Sequence, residues 1–184
     1  MGSLRPVASF ETHEVFNQPP PLEDINLFTT DRALTDAVRN AGGERRLRRL
    51  NVMGALAGSQ EVQDWGVQAN RALPVLETHD RFGQRIDEVS FHPAYHHLMD
   101  LGLGSGIASV AWQEGEGAGH VAHTALMLLL SQADSGTSCP MTMTYASVPA
   151  LNAEPAVARE WVPRITAGAY DPACRPAPEK AGVT

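Results

Sequence analysis

The sequence predicts an all-α fold of roughly six or seven helices, with an extended N-terminal arm and one short hairpin-like insertion. Two observations favour this fold class. Apolar residues recur at helical spacing through most of the chain, and residues that cap or begin helices stand just before these stretches. The most apolar stretch, residues 120–133, is apolar nearly all round, so we expect it to be the central buried helix.

The N-terminal arm is predicted at residues 1–30. Three consecutive prolines at 19–21 favour polyproline geometry, and the apolar residues around them are too many for a disordered tail. We therefore expect the arm to lie on a surface, either of its own domain or of a neighbour. Asp31 is a good cap for the first helix, which the glycines at 42 and 43 end.

The remaining elements follow from caps, prolines and glycines. Ser59, Pro93, Pro140 and the pair at 154–155 each suit a helix start. Residues 75–91 alternate apolar and polar residues on both sides of a turn near Gly83, which indicates an irregular hairpin, and residues 113–119 are typical of a surface loop. The predicted helices cover residues 31–40, 44–57, 60–73, 93–103, 120–133, 140–151 and 155–165.

Charge and composition argue against several classes of protein. With 14 basic and 21 acidic residues the net charge is −7, which opposes nonspecific attraction to DNA or to an anionic membrane. The cysteines at 139 and 174 lack metal-ligand spacing and are expected to be reduced thiols. The longest purely apolar stretch, residues 125–130, is far shorter than the roughly 20 residues of a membrane helix. We expect a cytoplasmic protein.

Histidines at helical spacing raise the question of a metal site. His92, His96 and His97 form one group, and His120 and His123 form another. Neither group has the glutamate of an HExxH motif or another carboxylate at a ligand offset. The pattern therefore favours capping, stacking or surface roles for these side chains over metal binding.

Two further motifs are candidates for ligand binding. The run ERRLRR, residues 44–49, places four arginines around a helix, which favours a solvated face; a phosphate or an acidic partner surface is the alternative. The run LGLGSG, residues 101–106, superficially resembles a dinucleotide loop. It follows a predicted helix and not a strand, so its context does not support a Rossmann site.

Longer stretches of the chain resemble a known family. They read THEVFNQPPPLEDINLFTTDRAL, THDRFGQRIDEVSFHPAYHHLM, SCPMTMTYASVPAL, WVPRITAGAYDP and RPAPEKAGVT. In this order they resemble the N-terminal region of acyl-CoA-dehydrogenase-like flavoproteins of the DNA alkylation response type, the AidB-like proteins. The resemblance runs from about Thr12 to Thr184 and is far more specific than any short motif.

The resemblance implies a three-part subunit assembled as a tetramer, with an N-terminal helical domain, a middle β domain and a C-terminal four-helix domain. It implies that FAD is held mainly by the middle and C-terminal domains, and that the DNA-binding surface is also C-terminal. We therefore expect residues 31–168 to form the helical N-terminal domain. Residues 169–184 are expected to be a linker toward the flavin-binding β domain, which this sequence does not include.

One helix carries the site residues that the resemblance implies. In acyl-CoA dehydrogenases the helix corresponding to residues 140–151 approaches the flavin and lines the acyl cavity, so Thr142, Met143 and Ala146 are expected to line the substrate pocket. The alternative is that these three side chains are ordinary core contacts of a helical domain. No catalytic, cofactor-binding or metal-binding residue is expected in this chain.

Our leading hypothesis is the N-terminal domain of an FAD-dependent acyl-CoA-dehydrogenase-like oxidoreductase, which shapes the acyl pocket, excludes water and supports an oligomer. In the intact assembly the flavin N5 would accept a β-hydride while a base removes the α-proton of an acyl thioester. The partners would be the missing flavin-binding and C-terminal helical domains, or a second subunit carrying them. Alone, the chain is expected to bind no FAD, to be inactive, and to self-associate through an exposed apolar patch.

The rival hypothesis is a stand-alone helical protein-interaction module, or the non-catalytic half of a split flavoprotein. Such a module would use its arm and its exposed apolar surface to bind a partner.

Overall fold

Helices dominate the part of the chain that this computed structural model describes, residues 13, 14, 16–113 and 117–184. The α-helices are α1 (Leu27–Thr30), α2 (Arg32–Asn40), α3 (Leu47–Ala57), α4 (Gln60–Arg71), α5 (Pro93–Gly104), α6 (Val110–Gln113), α7 (Ala118–Leu130), α8 (Ser138–Leu151) and α9 (Pro155–Ile165). Two strands, β1 (Val75–His79) and β2 (Arg85–Ser90), and two short 3-10 helices, Glu44–Arg46 and Ala177–Glu179, are the other regular elements described. The all-α fold class with its hairpin insertion is confirmed.

The hydrophobic core lies where α3, α5 and α7 meet the start of α8. Helix α7 contacts α2, α3 and α6, α4 packs on α5, and α8 packs on α9. Side chains from four of these segments are completely withdrawn from solvent: Leu50, Leu98, Leu126, Leu129 and Met141. Burying each such side chain stabilises the fold by about 1.5–3 kcal/mol.

The central helix α7 is less enclosed than the sequence suggested. His120, Thr124 and Leu128 lie four residues apart on an exposed stripe, and Leu128 is 50% exposed. The expectation that this helix is buried nearly all round is therefore wrong on one side. The helix also begins at Ala118 and ends at Leu130, earlier at both ends than predicted; of the loop predicted at 113–119, residues 114–116 lie outside the described part of the chain.

Four helix starts follow the predicted residues, whereas α8 begins at Ser138, two residues before the predicted start at Pro140. Asp31 Oδ1 accepts a hydrogen bond from the Leu34 amide at 2.9 Å, and Ser59 Oγ accepts one from the Val62 amide at 3.3 Å. Pro93 occupies the first turn of α5, and Glu154 caps α9. These caps satisfy amides that the first helical turn leaves without a backbone partner.

The end of the predicted arm belongs to the folded core. Leu27 and Phe28, within α1, are 5% and 3% exposed. Asn26 joins this turn to α3, because its Nδ2 donates to the Asn51 carbonyl and side-chain oxygens at 3.0 Å each. Residues 1–12 and 15 of the predicted arm lie outside the described part of the chain, and its boundary at residue 30 remains a prediction.

The hairpin of β1 and β2 stands away from the core. The strands are antiparallel, with Leu76 opposite Val89, and every residue of both strands is exposed. Asp80 Oδ1 fixes the turn by accepting from the Phe82 and Gln84 amides at 2.8 and 2.9 Å. Gly83 has φ +80°, a left-handed conformation that glycine adopts without strain.

Helix α8 continues through a proline that was expected to interrupt its end. Pro149 has no amide hydrogen, so the carbonyl of Tyr145, four residues earlier, lacks its helical donor. The Trp112 indole Nε1 donates to that carbonyl at 3.0 Å. Because this bond from α6 replaces the missing one, α8 runs on to Leu151.

Within the described residues, no helix is both long and apolar enough to span a bilayer. The two cysteines, Cys139 and Cys174, are exposed and are not joined in a disulfide.

A substitution at Gly66 tests how closely α4 packs against the turn after α7. A Cβ atom on Gly66 would overlap the Ala133 carbonyl oxygen, whereas one on Gly104 would have no neighbour within 4 Å. We expect Gly66→Ala to lower the free energy of unfolding by about 1–3 kcal/mol, because the backbone must shift to relieve the overlap. The control Gly104→Ala should change it by less than about 0.5 kcal/mol. Urea denaturation followed by circular dichroism measures both; equal midpoints would contradict this packing.

Candidate functional site

The outer face of α8 contains the three side chains that the family resemblance points to. Thr142, Met143 and Ala146 are all exposed, and Met143 is 66% exposed. The opposite side of the helix buries Met141, and Thr144 and Val148 with it. The structure therefore contradicts the alternative that the three residues are core contacts; whether they line a substrate pocket remains a prediction.

Two contacts at its first turns hold α8 in place. The Met141 side chain is completely buried and lies where a Cβ atom on Gly102 of α5 would be, so the two helices approach closely. Asp134, itself 4% exposed, accepts from the amide and hydroxyl of Thr137 at 2.7 and 2.8 Å, and from Asn70 Nδ2 of α4 at 3.0 Å. The buried carboxylate thus has partners on both sides, as a charged group in a core requires.

Aromatic rings pack between α8 and α7. The Tyr145 ring stacks on His123 with a centroid separation of 3.7 Å, and its hydroxyl is 2.7 Å from His120 Nδ1. His123 Nδ1 lies 2.7 Å from the Ile107 carbonyl oxygen, which can only accept, so this nitrogen carries the hydrogen. Burial lowers the pKa of His123, which favours the neutral imidazole.

Two further histidines, His92 and His97, have the capping and stacking roles that the sequence predicts. His92 Nδ1 accepts from the Ala94 amide at 3.2 Å and caps α5, and His97 stacks on Trp65 at 4.8 Å. In the described segments, His, Cys, Asp and Glu side chains do not come together in groups of three or more suited to a metal ion.

A cleft of about 640 Å³ opens beside the first turn of α8. Strand β2, the start of α5, Pro140 and the C-terminal segment form its walls. Inside it, His96 Nδ1 and the Tyr170 hydroxyl are 2.7 Å apart. Burial is the main cause that raises the pKa of Tyr170 to about 12, and burial also lowers the pKa of His96. At neutral pH the phenol is therefore protonated and can donate to a neutral imidazole.

Sequence reasoning missed the pair of His96 and Tyr170. The two residues are 74 positions apart, and Tyr170 lies in a segment without regular structure. A single tyrosine among prolines and alanines gives no periodic signal, so only the folded chain brings the two rings together.

The segment expected to be a linker, residues 169–184, folds back on itself, and its role as a linker remains a prediction. The Asp171 carboxylate accepts hydrogen bonds from the Ala181 amide at 3.0 Å, from Arg175, and from the Ala173 amide at 3.1 Å. These three donors, in that order, lower the pKa of Asp171 to about 2. A Cβ atom on Gly182 would overlap the Ala169 carbonyl, so the last residues lie tightly against the start of the segment.

The arginines of residues 44–49 are not evenly spread over a solvated face. Arg45, Arg48 and Arg49 are exposed, as expected, but all three line one cleft. The glycine run at 101–106 forms the end of α5 and the turn after it, on the other side of that cleft, and not a loop between a strand and a helix.

Comparison with known proteins identifies the family. Residues 17–172 match the family model described as the adaptive response protein AidB N-terminal domain. The chain belongs to this family. It is 36% identical to AidB of Escherichia coli (strain K12) over 176 residues, which cover 95% of this chain and 32% of that protein. The domain is acyl-CoA-dehydrogenase-like and spans about a third of its E. coli relative's length.

Three further comparisons, one with a sequence and two with solved structures, are consistent with this assignment. Acyl-CoA dehydrogenase family member 11 of Caenorhabditis elegans is 28% identical over 95 residues, covering 50% of this chain and 15% of the relative. The solved structure of Bd2924 in its apo form aligns with a TM-score of 0.74 at 25% identity, covering 84% of this chain and 32% of that one. The C. elegans ACDH-11 structure in complex with C11-CoA aligns with a TM-score of 0.66 at 23% identity, covering 89% and 29%.

Asp171 makes a pH-dependent contribution to stability. Its folded pKa lies below the unfolded value of about 4, so its stabilisation is complete above about pH 4 and is lost as the pH falls through about 2. We expect Asp171→Asn to lower the melting temperature at neutral pH, and the difference from the wild type to shrink between pH 4 and pH 2.

Thermal melts across this pH range test the effect of Asp171. Asp36, whose side chain is 70% exposed and 3.7 Å from Arg39, supplies the control Asp36→Asn, which should change the melting temperature little at any pH. A difference for Asp171→Asn that stays constant down to pH 2 would contradict the proposed role of its carboxylate.

Proposed function

We propose that the outer face of α8 is one wall of an acyl-thioester pocket in an FAD-dependent acyl-CoA dehydrogenase-like assembly of the AidB type. The proposal rests on the exposure of the Met143 side chain. A large apolar side chain is presented to solvent at 66% of its surface by a helix whose other side is fixed in the core. Apolar surface held in this way is typical of a face that another group covers.

The α8 face fits contact with an acyl chain or with the edge of a flavin ring. Met143 and Ala146 supply apolar atoms, and the Thr142 hydroxyl can donate one hydrogen bond to a carbonyl group. Helix α8 itself contains no charged residue to hold a diphosphate, so in our proposal the flavin phosphates are bound by other domains. When bound there, FAD supplies the oxidising power, and the residues of this chain orient the acyl group and exclude water.

The relatives support the same substrate class. The C. elegans structure that shares the fold is in complex with C11-CoA, an acyl thioester. Its crystallised state shows that a protein containing this fold binds such a ligand. In our proposal a flavin-binding domain and a C-terminal helical domain, on the same chain or on a second one, complete the pocket and the oligomer in the cytoplasm. The chain alone would be inactive.

Met143 is the residue with which to test the pocket wall. In the assembled protein, with the flavin-binding and C-terminal domains present, we expect Met143→Glu to raise the KM for an acyl-CoA at least tenfold, because it places a carboxylate against the acyl chain. Val157 of α9 is also apolar and 39% exposed, so Val157→Glu is the matched control and should leave KM unchanged.

Acyl-CoA-dependent reduction of an artificial electron acceptor measures both variants. Equal KM values for the two glutamate variants, with the fold intact by circular dichroism, would sink the assignment of α8 to the substrate pocket.

A second candidate function, a protein-interaction module, is favoured by the hairpin. Leu76 and Val89 are cross-strand partners and are 58% and 48% exposed, and Phe82 at the turn is 72% exposed. An isolated two-stranded hairpin is marginally stable in water, so a partner that covers these side chains would stabilise it. The covering partner is either a second copy of the chain or another domain.

Sedimentation velocity tests whether the hairpin drives association. The isolated chain is expected to self-associate at high concentration, and Leu76→Glu combined with Val89→Glu should shift it toward monomer, because charge replaces the shared apolar surface. Thr78→Glu adds charge to the same strand without removing apolar surface and serves as the control. A wild-type chain that stays monomeric at high concentration would count against this second function.

A further inference from the structure

A second cleft lies on the domain between the start of α3 and two glycine turns. It has a volume of about 610 Å³, within the range of about 300–1,000 Å³ common for small-molecule sites. One turn follows α5 and the other follows α9. The lining residues from these turns and from α6 are Gly104, Ser105, Gly106, Ser109, Gln113, Ala167 and Gly168.

Three arginines give this cleft a positive wall. These arginines are Arg45, Arg48 and Arg49, and their spacing places them on one side of the helical segment. Val52 and Met53, one turn further along α3, line the same cleft. None of the described lining residues is an aspartate or a glutamate. The local charge is thus opposite to the net charge of −7 that the whole chain carries.

A hydroxyl group lies at the floor of the cleft. Ser109 is only 3% exposed and lines the cleft. A hydroxyl group can donate one hydrogen bond, so Ser109 Oγ can donate to a ligand oxygen that enters the cleft.

Two glycines leave the space above this hydroxyl open. Gly106 and Gly168 have φ of +87° and +66°. Cβ atoms on them would lie 3.6 and 3.8 Å from Ser109 Oγ, and the one on Gly106 would also lie 3.5 Å from Arg49 Nη1. Side chains at these two positions would therefore fill the space between the serine and the arginines.

We propose that this cleft binds the phosphate group of a small phosphorylated ligand, with Arg45 and Arg48 as charged contacts and the Ser109 hydroxyl as a donor at the floor. Guanidinium groups bind phosphate oxygens through strong, often bidentate hydrogen bonds, and a hydroxyl supplies one further donor. The volume admits a ligand of nucleotide size. The cleft is separate from the outer face of α8, so the proposal does not depend on the acyl-pocket assignment.

Calorimetric titration of the chain with inorganic pyrophosphate at low ionic strength tests the site. We expect saturable binding with one equivalent per chain, and an affinity that falls as sodium chloride is added, because salt screens the arginine charges. Inorganic phosphate, adenosine monophosphate and a short DNA duplex are titrated in parallel to distinguish the sources of phosphate. Adenosine monophosphate should bind at least as tightly as inorganic phosphate.

Variants of the lining residues identify where pyrophosphate binds. Arg45→Gln and Arg48→Gln should each weaken binding about tenfold, and Ser109→Ala should weaken it about threefold, with unchanged circular dichroism. Arg159 is an exposed arginine of α9 outside the cleft, so Arg159→Gln should bind like the wild type.

Three results would each overturn the proposal. They are no binding of pyrophosphate, equal binding by the cleft variants and the Arg159→Gln control, and binding of the DNA duplex without binding of the small phosphates. The last result would indicate a nucleic-acid surface instead.

Discussion

The close contact between Met141 and Gly102 is the constraint on which the placement of α8 depends. Because Gly102 has no side chain, the Met141 side chain sinks completely into the core and brings α8 against α5. A helix anchored on one side must present its other side outward. The exposure of Met143 is a consequence of this anchoring and not of a loose or frayed helix, since α8 stays helical as far as Leu151.

Hydrogen bonds to carboxylates hold the start of α8 and the C-terminal segment, which the hydrophobic core does not hold. Asp134 ties the start of α8 to α4, and Asp171 folds the C-terminal segment back on itself. Both carboxylates are satisfied by several donors, which offsets the cost of removing charge from water. Trp112 acts in the same way, because its indole Nε1 donates a hydrogen bond to the Tyr145 carbonyl, which the missing amide of Pro149 would otherwise bond. These bonds thus fix the outer surface of the domain in the segments between its helices.

Two outward surfaces of different chemistry result. The α8 face is apolar with a single hydroxyl, which suits an acyl chain, and the arginine cleft is cationic with a buried donor, which suits a phosphate. The exposed hairpin is a third surface, on which the cross-strand pair Leu76 and Val89 is apolar. The domain spans about a third of its E. coli relative, and in our proposal other parts of a larger assembly cover such surfaces.

The sequence by itself determined the family, the helical fold class, the helix caps and the hairpin, because these depend on residues close together in the chain or on long stretches that resemble relatives. Only the tertiary structure decided which side of α8 faces out. Apolar residues surround that helix, from Met141 through Met143 to Val148, so their spacing does not define a buried side. The arginine cleft and the pairing of His96 with Tyr170 likewise join segments far apart in sequence. The spacing of residues within one segment does not indicate these contacts, because they depend on how whole helices pack against each other.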